Sequence, residues 1–504
     1  MKRSLLLIAT LALVCAVAFG SGQGEGEGDT PELVIQLMAD SPPDKDLVTD
    51  AINERLAEVA GATVSFQNLT WTDWQQKYRL LITSGEQVDV LYAANWADYA
   101  TYARDGAYVN LNDLVPEAAP DLWEAIPQSD WDGVKVGGDI YAVPDLKQSY
   151  SGAFHLIYRE DLRQEYGTPP IDDLASIEAF FDAIKENEPS MYPVQKGGDS
   201  SFMNTLFQTM VAQELPASAY SSFMPQSSLI WMDYRNPRAD IVPPWQLPGY
   251  EEYLQIVKRW AERGYWGEDI LAEKNISQDL VEAGRSAAGG DGMNVDKVQK
   301  YIERMMVESP SWEIGELSWP LKAGFTIPSA SQQDISTIPR QSDYPEAGLR
   351  VIEAFLLDKD LQFLVHYGIE GTHYRITDDG KYEPIEGSNR FGLFGMNAWN
   401  WKNENLLLQQ QGGWGEEHYE YYQQYAEISV PNFGFAINRD PINAEITAIR
   451  QIEEQYAYPL WSGLVDDVDA AQETLEEKLE EAGLQKVIDE YRRQFDAYLD
   501  EIGR

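Results

Sequence analysis

The chain has 504 residues, of which 44% are hydrophobic and 24% charged, a composition typical of a globular protein with two or three domains. Acidic residues outnumber basic ones by 83 to 38, and the formal net charge is −45. Such a surface repels nucleic acids and anionic lipids, so the sequence argues against both as partners. It also disfavours a strongly anionic small molecule, unless arginine side chains cluster locally.

The N-terminus has the pattern of an export signal. Met1-Lys2-Arg3 precedes an apolar run from Leu5 to Ala18, and small residues follow. This predicts a signal peptide over residues 1–20 and a periplasmic or otherwise extracytoplasmic protein. The alternative is a permanent membrane anchor, but the run is shorter than the ~18 apolar residues that a spanning helix needs.

Cys15 is the only cysteine, and it lies inside the apolar run. Lipid attachment at Cys15 would need a small residue just before it, whereas Val14 stands there, so plain cleavage is favoured over lipidation. The mature chain then has no disulfide. Residues 21–30 are rich in Gly and Glu and are predicted to form a flexible tether.

After the tether, apolar runs typical of buried strands alternate with amphipathic segments typical of helices. Asp44 is placed to cap the first helix, whose apolar stripe is Val48, Ile52, Leu56 and Val59. The predicted elements are strands at 32–39, 63–69 and 88–93 and helices at 44–60 and 71–83. This order predicts a parallel sheet with helical crossovers, hence an α/β fold that binds ligands beyond the carboxyl ends of its strands.

A second compact unit is predicted to begin near Pro144. Its expected elements are a strand at 153–159 and a helix at 172–186, followed by sheet at 317–328 and a helix at 344–367. Asp378-Asp379-Gly380 has the pattern of a hairpin turn. From about Asn443 the chain is predicted to be helical, with an apolar stripe that packs as an outer layer; the stripe comprises Leu475, Leu479, Leu484, Val487, Ile488 and Leu499.

The sequence carries no motif of a known catalytic or metal-binding type. Walker, GxSxG and HExxH motifs do not occur, and there is no CxxC. The chain has four histidines, and we interpret His366 and His373 as structural or hydrogen-bonding residues. The many carboxylates offer candidate pairs for glycoside hydrolysis, but none is singled out. We therefore expect no cofactor, no metal and no enzymatic activity.

Aromatic residues are abundant, with 15 Trp and 28 Tyr. Trp71 and Trp96 follow the second and third predicted strands, where a ligand is expected, and Trp399 lies in a Gly/Asn-rich stretch. A flat aromatic ring covers the apolar face of a sugar, while polar side chains satisfy its hydroxyl groups. The alternative for each tryptophan is packing in the core.

Five stretches, at residues 77–100, 106–127, 137–148, 367–382 and 433–449, resemble the family 1 extracellular solute-binding proteins of ABC transporters. The likeness is to the long, lipoprotein-like branch associated with oligosaccharide importers. It implies a periplasmic-binding-protein fold, in which two discontinuous α/β lobes enclose a cleft and are joined by a hinge. The first lobe is expected at residues 31–143 plus 320–372, and the second at 144–319 plus 373–504.

The resemblance implies a receptor that closes on a carbohydrate and delivers it to the permease subunits of an ABC importer, acting as a monomer. Two other interpretations stay open: a secreted polysaccharide-degrading enzyme, and a surface sensor or adhesin. The predicted roles are stacking for Trp71, Trp96 and Trp399, and hydrogen bonding for Asp40, Asn95 and Asp145. Tyr141, Tyr374, Arg375 and Trp401 are expected to complete the cleft.

Overall fold

The computed structural model describes residues 30–70, 74–146, 155–195, 201–224, 227–267, 269–273, 277–290, 295–328, 330–393, 395–396, 400–409, 420, 423–431 and 434–504. The predicted signal peptide lies outside this part of the chain, as does the predicted tether up to residue 29. Among the helices described, none combines the length and the apolar character needed to cross a membrane.

The described strands are short and spread over most of the chain. They are β1 (Glu32–Met38), β2 (Thr63–Leu69), β3 (Val90–Ala93), β4 (Lys135–Val136), β5 (Asp139–Ile140), β6 (Ala142–Pro144), β7 (His155–Arg159), β8 (Tyr192–Val194), β9 (Tyr220–Ser222), β10 (Trp231–Asp233), β11 (Ser286–Gly289), β12 (Ile314–Ser318), β13 (Ile335–Thr337), β14 (Tyr374–Ile376) and β15 (Tyr382–Pro384).

Helices separate most of these strands. They are α1 (Lys45–Val59), α2 (Trp74–Ser84), α3 (Tyr99–Arg104), α4 (Leu114–Ala118), α5 (Pro120–Ala125), α6 (Gln128–Gly133), α7 (Glu160–Glu165), α8 (Leu174–Asn187), α9 (Ser201–Glu214), α10 (Tyr250–Glu262), α11 (Ser277–Glu282), α12 (Val295–Glu308), α13 (Trp319–Ala323), α14 (Pro345–Leu357), α15 (Lys359–Tyr367), α16 (Ser388–Phe391), α17 (Asn443–Ile452), α18 (Tyr458–Trp461), α19 (Val468–Glu481) and α20 (Leu484–Glu501).

The first sheet has the strand order β2-β1-β3-β13-β6. β1 pairs in parallel with β2 from Glu32 to Met38, and also in parallel with β3. β13 runs antiparallel to both β3 and β6. Four strands therefore point the same way, and their carboxyl ends lie at one edge of the sheet. The parallel pairing predicted from the alternating pattern is confirmed.

A hydrophobic core surrounds this sheet because apolar side chains line both of its faces. It contains residues between Leu33 and Val143 and between Ile335 and Val365. Helix α1 contributes Val48, Ile52 and Leu56, all fully buried. The predicted fourth member of that stripe is wrong, since Val59 at the end of the helix is exposed. We call the unit around this core the first lobe.

The second sheet has the order β12-β7-β11-β8. β7 lies antiparallel to both of its neighbours, and β11 is parallel to β8. Its core runs from Leu156 to Trp319 and from Ile437 to Leu499. All six residues of the predicted C-terminal stripe are buried there, so the packed helical layer is confirmed. We call this unit the second lobe.

The chain crosses from the first sheet to the second between Pro144 and His155 and returns between Ser318 and Ile335. The predicted lobe boundaries stay a prediction, but one stretch packs differently from them. Phe391, Met396 and Trp401 belong to the core of the first lobe, whereas the prediction placed residues 373–504 in the second.

Two predicted elements differ from the structure for local reasons. The predicted sheet at 317–328 ends at Ser318, because Pro320 opens helix α13 and the Ser318 hydroxyl accepts the N–H of Leu321. The predicted helix at 344–367 is broken into α14 and α15 at Asp358. The Asp358 carboxylate accepts the N–H of Leu361 at 3.0 Å and so caps the second helix.

One buried carboxylate lies in the helical layer of the second lobe. Glu453 begins a π-helical stretch, Glu453–Ala457, and is 1% exposed. Its Oε1 accepts the backbone N–H of Ser228 at 3.0 Å. Burial raises the pKa of Glu453 to about 7, because the ionised form loses its hydration. The folded protein therefore binds a proton at Glu453 over a pH range in which the unfolded chain has released it.

We predict that Glu453→Gln removes a loss of stability that the wild-type protein undergoes as pH rises from about 4.5 to about 7. Because the folded pKa lies above the unfolded value of 4.5, wild-type stability falls as pH rises from about 4.5 through 7. The amide can still accept the Ser228 bond and carries no charge. At pH 8 the variant should be more stable by roughly 3 kcal/mol, from a difference of about 2.5 pKa units at about 1.4 kcal/mol per unit.

Urea denaturation at pH 5 and pH 8 measures this difference. Glu454→Gln is the matched control, since its side chain is exposed. Equal pH slopes for wild type and Glu453→Gln would show that Glu453 does not titrate in this way.

Candidate functional site

The carboxyl edge of the first sheet collects polar residues from separate parts of the chain. In the register of the sheet, Met38 of β1 pairs with Leu69 of β2, and Ala93 of β3 pairs with Ile335 of β13. Ile335 in turn pairs with Pro144 of β6. The residues just beyond these positions therefore share one edge: Asp40, Thr70, Asn95, Asp334 and Asp145.

The loop after β3 places a tryptophan at this edge. Asn95 to Ala97 form a single 3-10 turn, in which Asn95 Oδ1 accepts the N–H of Trp96 at 2.8 Å. The Asn95 N–H donates to the carbonyl of Gln332 at 2.8 Å, so the loop is held against the segment that leads into β13. The predicted placement of Asn95 and Trp96 beyond the third strand agrees with this geometry.

Trp96 is half-buried and rests on other aromatic rings. Its ring meets Trp74 edge to face at a centroid distance of 5.2 Å and an angle of 85°. Tyr92 lies 6.0 Å away on β3. Such edge-to-face contacts restrain the indole while part of its surface stays exposed. Asp40, at the end of β1, is exposed at the same edge.

Asp334 and Tyr92 form a buried pair that sequence reasoning missed. The Tyr92 hydroxyl donates to Asp334 Oδ1 at 2.7 Å, and both residues are buried. Burial, together with the Asp334 charge, raises the pKa of Tyr92 well above its usual range, so the phenol keeps its proton and donates. The polar run that ends at Asp334, directly before a buried strand, was the available clue.

Asp145 and Trp401 contact each other. Asp145 is 8% exposed, and its Oδ1 accepts the backbone N–H of Trp401 at 3.0 Å. The Trp401 ring stacks on Phe355 at 4.3 Å, and its Nε1 donates to Ser336 Oγ at 3.0 Å. Trp401 is 0% exposed, so it is a core residue without a ring face open to a ligand. This corrects its predicted place in the cleft.

The predicted lid residues Tyr374 and Arg375 lie on opposite faces of the short strand β14. The turn between β14 and β15 is the predicted hairpin. Tyr374 is buried in a ring cluster with Tyr367 and Tyr382. Arg375 is exposed and forms an ion pair with Glu383 across the hairpin. Neighbouring residues on a strand point to opposite faces, so Arg375 is exposed while Tyr374 is buried. Because the ring cluster covers it, Tyr374 is not available to close over a ligand in this structure.

Tyr141 stands apart from the polar edge. It precedes β6, whereas Asp145 follows it. Three strand residues lie between the two positions, which are therefore about 13 Å apart. Tyr141 is half-buried against the first core, at the opposite end of β6 from Asp145. Trp71 and Trp399, the other two predicted stacking residues, lie outside the described residues.

The loop that carries Asp40 is anchored by Asp44. The structure corrects the predicted helix cap, because the Asp44 side chain makes no cap hydrogen bond to α1. Instead the guanidinium of Arg390 donates to both Asp44 oxygens, and His373 Nε2 lies 3.2 Å from Oδ2. These donors, Arg390 first, hold the pKa of Asp44 below its usual value.

His373 has a defined tautomer. The backbone N–H of Ile369 donates to its Nδ1 at 2.9 Å, so Nδ1 carries no proton and Nε2 is the donor to Asp44. The predicted hydrogen-bonding role of His373 is confirmed. His373 and Arg390 thus join the β1–α1 loop to the segment around the hairpin.

The facing edge of the second lobe is a buried polar cluster. The chain enters the second sheet at His155 and leaves it at Ser318, and these residues pair in the β7–β12 register. The Tyr425 hydroxyl lies 2.6 Å from Ser318 Oγ and 3.1 Å from His155 Nε2. His155 Nδ1 contacts the carboxylate of Glu316. No local sequence pattern indicated this cluster, because its members are far apart along the chain.

The edge of the first lobe presents a partly exposed indole, that of Trp96, together with the amide of Asn95 and the exposed carboxylate of Asp40. Such a surface suits a polyhydroxylated ligand with an apolar ring face. In the part of the chain that the structure describes, no three His, Cys, Asp or Glu side chains come together as a metal site.

Comparison with known proteins agrees with this architecture. The family model described as a bacterial extracellular solute-binding protein matches residues 50–373, more than half of the chain, and a domain of unknown function, DUF3502, matches residues 431–500. A carbohydrate ABC transporter substrate-binding protein of Streptococcus pneumoniae serotype 4 is 24% identical over 479 residues, covering 94% of this chain and 91% of that protein.

Two solved structures share the fold. The N-glycan transport solute binding protein NgtS of Streptococcus pneumoniae, in complex with Man1GlcNAc, has a TM-score of 0.70 at 22% identity and covers 93% of this chain and 100% of its own. The substrate binding protein FusA of S. pneumoniae, in complex with kestose, has a TM-score of 0.66 at 13% identity, with 93% and 99% covered. The predicted periplasmic-binding-protein fold is confirmed. The chain belongs to the bacterial extracellular solute-binding protein family.

Proposed function

We propose that the chain is the substrate-binding subunit of an ABC importer and that it binds an oligosaccharide between its lobes. The observation that carries the ligand class is Trp96, a half-exposed indole beside Asn95 at the carboxyl edge of a parallel sheet. Two kinds of relative support it. One is named a carbohydrate ABC transporter substrate-binding protein, and the structural neighbours hold Man1GlcNAc and kestose.

In this proposal Trp96 covers the apolar face of one sugar ring, and Asn95 and Asp40 bond to hydroxyl groups. Asp145 shapes the wall where the chain leaves the first sheet. Trp71 and Trp399 keep their proposed stacking roles. Contacts from both lobes favour the closed state, which the permease subunits then recognise.

The remaining parts of the proposal follow from the sequence and the family. Residues 1–20 direct export and are cleaved without lipid attachment at Cys15, and the mature protein acts as a monomer without catalysis. We propose binding over glycan hydrolysis because two carboxylates at the described edge, those of Asp334 and Asp145, already accept hydrogen bonds from within the protein. Asp334 accepts from the Tyr92 hydroxyl, and Asp145 accepts from the backbone N–H of Trp401.

A thermal-shift experiment tests this function with Man1GlcNAc, kestose and Man5GlcNAc, the last of which is bound in another NgtS structure. A ligand at a hundredfold excess over Kd stabilises its receptor by about 2.7 kcal/mol, which should raise Tm measurably. We expect at least one sugar to do so and to be recovered intact by mass spectrometry. Recovery of a cleaved sugar would identify a hydrolase, and no shift with any of the three would contradict the proposed ligand class.

The Trp96→Ala variant tests the site. Loss of the indole should weaken binding of the stabilising sugar by roughly tenfold or more, equivalent to about 1.4 kcal/mol. Trp123→Ala is the matched control, because Trp123 is also half-buried in the first lobe and packs on another tryptophan, Trp131, at 5.0 Å. It should lose stability but keep its affinity. Equal affinities for wild type and Trp96→Ala by titration calorimetry would remove Trp96 from the site.

A further inference from the structure

The loop that carries Trp96 continues directly into a contact between the lobes. After the 3-10 turn, Asp98 adopts φ +62°, a left-handed conformation that non-glycine residues seldom take. Its carbonyl accepts the N–H groups of Thr101 and Tyr102 at 3.0 and 3.1 Å, at the start of α3. Asp98 is thus fixed on the first lobe, two residues from Trp96, with its carboxylate turned to the second lobe.

The partner of that carboxylate is Arg439 of the second lobe. Its guanidinium forms an ion pair with Asp98, and its side chain is only 13% exposed. Arg439 follows Asn438, whose backbone N–H and carbonyl are both bonded to the side chain of Gln494, each at 2.8 Å. Because Gln494 lies in α20, the segment that carries Arg439 is hydrogen-bonded to the helical layer of the second lobe.

A second contact joins the same two segments. Arg104, at the end of α3, donates to the carbonyl of Ile437 at 3.2 Å and to that of Ala436 at 3.5 Å. Partial desolvation in this contact lowers the pKa of Arg104. The other charged groups that face Arg104 are Asp105, Asp440 and Arg439.

A buried side chain of α20 also packs against the segment that carries Arg439. Tyr491 of α20 is buried beneath it, and burial raises the pKa of Tyr491 to about 12 while the charges of Arg439 and Arg450 oppose that rise. Arg439 therefore lies on packed second-lobe structure, unlike the exposed Arg493 of α20. It belongs to residues 431–500, which match the domain of unknown function.

We propose that Arg439 is a positioning residue of the binding site: through Asp98 it holds the Trp96 loop of the first lobe against the second lobe and stabilises the closed arrangement of the lobes. This rests on the proposed function of the cleft. It assigns the 431–500 domain a role in ligand retention, because an ion pair across the lobes stabilises the arrangement of the lobes in which it forms.

The first test needs no ligand, so it is independent of the proposed function. Cys15 is the only cysteine, so a Cys15→Ser background accepts spin labels at Ala57→Cys on α1 and Glu186→Cys on α8, both exposed positions in different lobes. In pulsed electron paramagnetic resonance, Arg439→Gln should broaden the inter-lobe distance distribution and shift it to longer distances. The matched control is Arg493→Gln, which removes a surface arginine paired within α20 to Glu490.

The second test titrates Man1GlcNAc and kestose by calorimetry. Arg439→Gln and Asp98→Asn should each weaken binding about tenfold, and the double variant should be no weaker than either one, because both remove the same contact. Asn keeps the tolerance of Asp for positive φ, and Arg439→Lys should restore part of the affinity. Circular dichroism and Tm verify that each variant is folded.

The outcomes separate the two proposals. An unchanged distance distribution in Arg439→Gln overturns the positioning role, whatever the sugars do. Unchanged or tighter sugar binding in both single variants overturns it too, since the pair would then not favour the closed state. If neither sugar binds the wild-type protein while Arg439→Gln still opens the lobes, the inter-lobe role stands and the proposed ligand class fails.

Discussion

The parallel pairing of β1 with β2 and β3 is the constraint on which the candidate site depends. Parallel strands place their carboxyl ends together, and the helical crossovers bury both faces of the sheet, so its ladder hydrogen bonds are shielded from water. A shift of one residue in this register would move every side chain of β1 to the opposite face of the sheet and disrupt its packing in the core. The loops that follow Met38 and Ala93 therefore have little freedom in where they emerge, and Asp40 and Asn95 emerge at one edge.

Most acidic side chains near this edge act as structural acceptors. Asp145 receives the N–H of Trp401, Asp334 the hydroxyl of Tyr92, and Asp44 the guanidinium of Arg390. In a low-dielectric setting an unpaired carboxylate is costly, so each buried one is matched by a donor from a distant segment. These pairings hold the loops in place around the exposed groups. The large acidic excess of the chain thus has two uses: a solvated surface, and a few buried anchors.

The two-lobed arrangement follows from the path of the chain, which enters the second sheet beside the point at which it leaves. His155 and Ser318 mark that boundary, and the hydroxyl of Tyr425 joins them. The C-terminal helices complete the second core. Residues 434–440, which precede these helices, contact the first lobe. Contacts between residues 434–440 and the first lobe, such as those of Arg104, link the arrangement of the lobes to the loop that bears Trp96.

By itself the sequence determined the alternating strands and helices of the first lobe, the C-terminal apolar stripe and the loop of Asn95 and Trp96, because these depend on local periodicity and on strand order. Only the tertiary structure decided which polar and aromatic side chains are held by contacts inside the protein and are therefore not open to a ligand. Trp401 resembles an exposed aromatic in its Gly/Asn-rich stretch, yet Phe355 and Ser336, distant in sequence, bury it. Asp44 resembles a helix cap, but Arg390 offers its carboxylate a charged partner in place of the backbone amides. Such choices depend on which donors meet after the chain has folded, and no local pattern records them.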